Sequence, residues 1–176
     1  MAGKPTPPSF PLTASPAWQG PLAAAVIVAV GLIIYANSFA GVFVFDDGPA
    51  ILGKRTLWRE ASAWEIVTSQ SQTPIVALTL DLNYSLHGAK VWGYHLVNLA
   101  IHVLAGLVLF GIVRRTLLSQ RLAGRFAPAA TPLALAVALV WLAHPLQTES
   151  VTYIIQRKES LMGLFFLLAL YCAARA

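Results

Sequence analysis

Charge is scarce in this sequence. Only 11% of the 176 residues are Asp, Glu, Lys or Arg, against about 25% in an average soluble domain. A soluble globular body of this size could not hide the 57% of apolar residues that accompany so few charges. The same apolar excess rules out disorder for most of the chain. Cysteine is nearly absent: Cys172 alone cannot form an internal disulfide and says nothing of redox compartment. There is no P-loop, no Gly-rich dinucleotide fingerprint and no G-x-S-x-G elbow, and no tetratricopeptide-length repeat. What is present is a set of long uncharged blocks and a mean hydropathy of +0.69, the composition of an integral membrane protein.

Residues 1–20 carry Pro5, Pro7, Pro8, Pro11 and Pro16 and a single charge, Lys4. They read as a disordered cytoplasmic tail. Residues 21–176 are expected to be all-α, a polytopic transmembrane helical bundle of about four spans near 21–40, 91–113, 130–148 and 159–176. A signal peptide ending at Ser38-Phe39-Ala40 is the rival for the first span; the long, nearly uncharged, proline-rich leader argues against it. The fourth apolar run, Ser160 to Ala174, is shorter than the roughly 20 residues a crossing needs. The chain therefore reads as the N-terminal part of a longer protein.

The linker between the second and third spans holds Arg114, Arg115, Arg121 and Arg125 and no acid. Positive-inside places it, and the N-terminus, in the cytoplasm. The net charge of +5 thus follows membrane topology and not nucleic-acid binding. The polybasic linker is also suited to anionic lipid. Residues 41–90 form an outer loop too long for a simple connector. Ser62-Ala63-Trp64-Glu65 has the form of a capping box and starts a short helix to about Ser69. Trp58 and Trp64 suit the headgroup level. Ile75, Leu78, Leu82 and Leu86 recur at helical steps after Pro74, with Asp81 between them. That pattern predicts a second short helix lying at the outer surface.

Several polar residues stand out. Asp46-Asp47 follows the first span, before the turn Gly48-Pro49. Adjacent carboxylates beside a bilayer are either solvated loop residues or a candidate general base. His95, Asn98 and His102 form a stripe on the second span, either interhelical hydrogen bonding or, at His95, access to an outer site. Two histidines alone are weak evidence for a metal. His144, Glu149, Arg157 and Lys158 flank the outer ends of the last two spans. Arg157 and Lys158 are either interfacial anchors or ligands of a lipid-borne phosphate.

Five ordered motifs carry a resemblance. They are Phe43-Val44-Phe45-Asp46-Asp47, Leu80-Asp81-Leu82-Asn83-Tyr84, Gly93-Tyr94-His95-Leu96-Val97-Asn98, His144 to Val151, and Gln156 to Met162. Over about residues 30–176 the sequence resembles the transmembrane and tetratricopeptide-repeat proteins related to protein O-mannosyltransferases, of the C-type membrane glycosyltransferase superfamily. The resemblance implies a bacterial inner-membrane enzyme, active in its full-length form. Its donor would be a polyprenyl-phosphate-linked sugar such as mannose, and its acceptor a hydroxyl of a protein or glycan. Asp46 would be the base, with Asp47 orienting the acceptor or binding a divalent cation. Arg157, with Lys158, would hold the donor phosphate, and His95, His144 and Glu149 would line the chamber. Downstream repeats would bind protein partners. A non-catalytic membrane anchor for those repeats is the alternative, and a transporter half ranks last for want of a polar path.

Overall fold

The computed structural model describes residues 16–54, 62–69 and 73–175. All regular structure in them is helical. Four longer helices build the bundle: α1 (Gln19–Ile34), α4 (Val91–Leu117), α5 (Ala130–Leu142) and α6 (Arg157–Arg175). Two short ones, α2 (Ala63–Ser69) and α3 (Pro74–His87), belong to the loop between α1 and α4.

The 27-residue α4 is the axis of the fold, about 40 Å long at about 1.5 Å per residue. It packs on α1, α5 and α6 along its length and on α3 at its N-terminal end. Close approach is possible because the facing residues are small. Ala130, Ala134, Ala138 and Leu142 recur every fourth residue on α5, and all four are wholly buried. A Cβ on Gly31 would come within 2.8 Å of Val103. The large apolar side chains of the same helices, such as Ile33, Val140, Met162 and Phe166, point outward, where lipid would cover them.

Two helical stretches are long and apolar enough to cross a bilayer: Val91–Leu117, and Ala123–Leu142, which joins a helical turn and a 3₁₀ turn to α5. The other expected spans need correction. The first, near 21–40, is a 16-residue α1 followed by a 3₁₀ turn over Ala36–Ala40. The third, expected to reach residue 148, stops at Leu142 because His144 is extended ahead of Pro145. The fourth runs over Arg157–Arg175; with its terminal charges it falls short of the two clear spans. Most of the Pro-rich tail lies outside the described residues, and Gln19 and Gly20, assigned to it, begin α1.

The loop between α1 and α4 has the two short helices expected of it. At the start of α2 the Ser62 N–H donates to Glu65 Oε2 at 2.6 Å and the Glu65 N–H to Ser62 Oγ at 3.3 Å. This is the reciprocal pair of a capping box, and these bonds hold the Glu65 carboxyl below the usual range. Trp64 is exposed, while Trp58 lies outside the described residues. On α3, the stripe of Ile75, Leu82 and Leu86 is exposed, and Ala77, Leu80 and Asn83 face the protein.

The chain crosses the bundle so that charge separates. α4 and α6 are parallel: Asn98 meets Arg157 at one end and Arg115 meets Ala174 at the other. α1 and α5 run the opposite way, with Tyr35 and Leu142 meeting at the end that holds His95. All described acids (Asp46, Asp47, Glu65, Asp81, Glu149 and Glu159) lie at that end.

Candidate active site

The carboxylate end is organised around the irregular connection from Ala143 to Gln156. Here the chain leaves α5 and makes only single turns before α6. Its carbonyls lack helical partners and must be satisfied by side chains. The α4 stripe supplies them. His95 donates through Nδ1 to the Val151 carbonyl at 3.0 Å. Asn98 donates to the Ile154 carbonyl at 3.3 Å. His102 donates through Nε2 to the Leu142 carbonyl at 3.1 Å, which also accepts from the Tyr35 hydroxyl. The stripe is therefore interhelical hydrogen bonding along its whole length. His95 is buried beneath Gly41 and does not open onto a chamber; its Nε2 has no partner among the described residues.

Asp46 and Asp47 are neighbours with different environments. Asp47 is 0% exposed. Its Oδ1 accepts from the Ile155 N–H at 2.9 Å and its Oδ2 from the Val44 N–H at 3.2 Å. Asp47 thus latches the turn Val44–Asp47 to the connection, more than 100 residues away in sequence. Asp46 stays exposed at the surface of that turn, and its Oδ2 accepts a long 3.4 Å bond from the Tyr153 hydroxyl. Partial desolvation, together with the nearby Asp46 and Asp47 charges, holds that hydroxyl above its usual range, so it stays a donor. Phe45 sits between them in sequence with φ of 45°. The left-handed region strains a non-glycine residue, and Phe45 is 88% exposed, edge-on to Tyr153. Strain of this kind persists only where surrounding contacts hold it; here the Asp47 latch does so.

Arg157 departs from the expected phosphate-binding role. It is 0% exposed. Nε donates to Asn98 Oδ1 at 2.7 Å, Nη1 to the Thr79 carbonyl at 3.1 Å, and Nη2 to Asn83 Oδ1 at 2.8 Å and the Tyr94 carbonyl at 3.2 Å. A further contact from Nη1 to Thr79 Oγ1 engages the remaining edge of the fork. The guanidinium ties α3, α4 and α6 together and presents no donor to a ligand. Lys158, next in sequence, is exposed.

The structure thus gathers Asp46, Asp47, His95 and Arg157 around residues 151–157. His144 and Glu149 lie on the same connection but are exposed and make no contact with the carboxylates. His144 accepts from the Leu146 N–H and lines an apolar cleft over α5 with Val137, Val140 and Trp141. A divalent cation does not fit the acidic pair as placed. Both Asp47 oxygens hold backbone N–H groups, and among the described residues no group of three His, Cys, Asp or Glu could hold a metal.

Tyr153 and Thr79 were not singled out from sequence, and Asn83 stood out only within the motif Leu80 to Tyr84. Asn83, within a largely apolar helical pattern beside Asp81, was the one local signal of a buried polar partner.

Comparison with known proteins now adds to this geometry. No family model matches the chain, and no solved structure matches it. The human "Protein O-mannosyl-transferase TMTC4" is 33% identical over 85% of this chain and 22% of its own length. The Xenopus laevis "Protein O-mannosyl-transferase tmtc2" is 31% identical over 82% of the chain and 18% of its own length. The Caenorhabditis elegans "Protein O-mannosyl-transferase F38B6.6" is 30% identical over 82% of the chain and 22% of its length. The chain is a relative of the TMTC proteins. It spans about a fifth of the length of these TMTC relatives. Kinship with the TMTC proteins and the two clear spans make it a membrane protein.

Proposed function

We propose that this chain forms part of a membrane glycosyltransferase that moves a sugar, such as mannose, from a polyprenyl phosphate to a hydroxyl acceptor. The relatives' name, protein O-mannosyl-transferase, supports the reaction class. The observation that carries the reading is the split of the acidic pair. Asp47 is locked inside and positions the turn, and Asp46 is left with an accessible carboxylate. In this reading Asp46 takes the proton of the acceptor hydroxyl. The acceptor oxygen bonds to C1 of the sugar as the bond from C1 to the phosphate oxygen breaks, and the configuration inverts. The lipid phosphate leaves with the electron pair. Tyr153 orients the Asp46 carboxylate. With Arg157 engaged inside the bundle, exposed Lys158 is the better candidate to meet the phosphate.

The topology that goes with it has four crossings. α1 with its 3₁₀ turn covers about 34 Å at about 1.5 and 2.0 Å per residue, enough for about 30 Å of hydrocarbon. The N-terminus is cytoplasmic and residues 41–90 lie outside, by the arginine count of the linker. The TMTC relatives compared above are animal proteins, so a bacterial inner membrane rests on the sequence resemblance alone.

The test is Asp46→Asn in the full-length protein, with mannose transfer from a polyprenyl-phosphate donor to a Ser/Thr peptide as the readout. At least about a hundredfold loss with normal membrane insertion is expected. Unchanged transfer in a correctly inserted variant removes Asp46 as base. The anchor reading has one observation in its favour: His95, Asn98 and Arg157 all serve the bundle itself. It expects Asp46→Asn to leave every property of the full-length protein unchanged.

A further inference from the structure

The other end of the bundle carries an arrangement that the carboxylate end does not use. There α4 and α6 finish side by side, and Gly111, Arg114, Arg115, Leu118, Ser119 and Tyr171 line a cleft of about 790 Å³. That volume lies within the range of small-molecule sites. Gly111 lines one side of it. A Cβ there would come to 3.0 Å from the Tyr171 ring, so the ring packs closely on the bare face of α4.

Arg114 and Arg115 follow one another and so diverge by about 100° around the helix. Each is held by a single hydrogen bond at Nε. Arg114 donates to Thr131 Oγ1 at 3.0 Å, and Arg115 donates to the Ala174 carbonyl at 2.8 Å. These bonds orient both guanidinium planes and leave the terminal Nη donors without acceptors among the described residues. No acidic side chain competes among the described residues: the sequence has no Asp or Glu from Arg114 to Thr148 or from Ser160 to Ala176. The Tyr171 and Ser119 hydroxyls also lack hydrogen-bond partners among the described residues. The C-terminal dipoles of α4 and α6 together oppose an anion with about one negative charge, which two whole guanidinium charges exceed.

A cleft with two pre-oriented arginine forks and free hydroxyls is suited to a phosphate. Its position at the end of an apolar span, with Leu118 in the wall, is the depth at which a lipid phosphate meets the hydrocarbon. We propose that the Arg114–Arg115–Tyr171 cleft binds the phosphodiester of an anionic membrane phospholipid. This goes beyond the general attraction of a basic linker, because it specifies one saturable site with named donors. It does not depend on the glycosyltransferase reading.

The experiment is native mass spectrometry of the full chain in detergent, titrated with phosphatidylglycerol and with phosphatidylcholine of the same acyl chains. One retained phosphatidylglycerol is expected, bound at least about tenfold more tightly than phosphatidylcholine. Arg115→Gln should weaken it about tenfold. Tyr171→Phe removes a donor and no charge, and should weaken it about threefold. Equal affinity for the two lipids overturns the proposal. So does a Tyr171→Phe chain that binds like the original, since simple charge attraction predicts that result. A double change of Arg121 and Arg125 to Gln, outside the cleft, that weakens binding more than Arg115→Gln also overturns it in favour of a diffuse basic surface. Displacement of the lipid by millimolar inorganic phosphate would make a soluble phosphate the ligand and remove the lipid assignment.

Discussion

The two ends of this bundle use arginine in opposite ways. At the carboxylate end Arg157 is buried and every edge of its guanidinium has an acceptor on α3 or α4. At the other end Arg114 and Arg115 are each tied at one atom and keep their remaining donors. The acceptors around each arginine account for the difference: Asn98 and Asn83 turn amide oxygens toward Arg157, with the Thr79 and Tyr94 carbonyls beside them. Where the chain leaves regular helix, as from Ala143 to Gln156, carbonyls lose their partners and draw in polar side chains. Asn98 faces that connection with its amide and offers its oxygen to Arg157. Where α4 and α6 end, Arg114 and Arg115 each meet one acceptor, and their remaining donors stay available. Arginine in this bundle is thus structural where buried amide oxygens converge on it and available where they do not.

Arg157→Ala is the largest expected break in that comparison. It strands acceptors on Asn98, Asn83, Thr79 and Tyr94, at a cost of at least about 3 kcal/mol. Thermal unfolding in detergent should show a severely lowered midpoint or no stable protein. Arg157→Lys should rescue only part of it, because an ammonium cannot fill the same fork.

The acidic pair comes next. Asp47→Asn leaves one of two backbone N–H groups facing an amide donor and should cost about 1–3 kcal/mol. Asp46→Asn should change stability by less than about 0.5 kcal/mol. Equal losses from the two would erase the distinction between latch and free carboxylate.

Arg115→Gln is the counterpart of the Arg157 change at the opposite end. It should cost less than about 0.5 kcal/mol, as expected of an exposed cation. A loss as large as that of Arg157→Ala would show that both ends use arginine structurally.

The smallest effect belongs to Glu65. Its carboxyl is held below the usual range, first by the Ser62 N–H and then by the Ser62 hydroxyl. A lowered folded value means that the capping contribution is complete above the unfolded carboxyl's range. It is lost as pH falls through the folded value. Titration of the Glu65 side chain by NMR should give a midpoint below that of Ser62→Ala, which removes the hydroxyl bond.

Much of this was legible in the residues. The uncharged run before Arg114 marked α4, Ser62 and Glu65 marked the start of α2, and the ordered motifs carried the kinship with the TMTC proteins. The ends of the spans were less legible. The apolar run of the third span continues to about residue 148, and the Pro in His144-Pro145 is the local signal that the helix stops before it, as it does at Leu142. Arg157 misled for another reason. A cation beside polar residues near a membrane reads as a ligand group until its acceptors, between 59 and 78 residues away, are known.

Composition and order alone determined that this chain is helical, lies in a membrane and separates its acids from its linker arginines. Those properties are sums over local residues, and local reading recovers them. Tertiary structure alone decided which of two adjacent carboxylates is buried, that Arg157 is internal, and that Arg114 and Arg115 share a cleft with Tyr171. The physical reason is that a buried polar group must find partners wherever the chain brings them. Here Asp47 finds its distant partner at Ile155, and Arg157 finds its partners between Thr79 and Asn98.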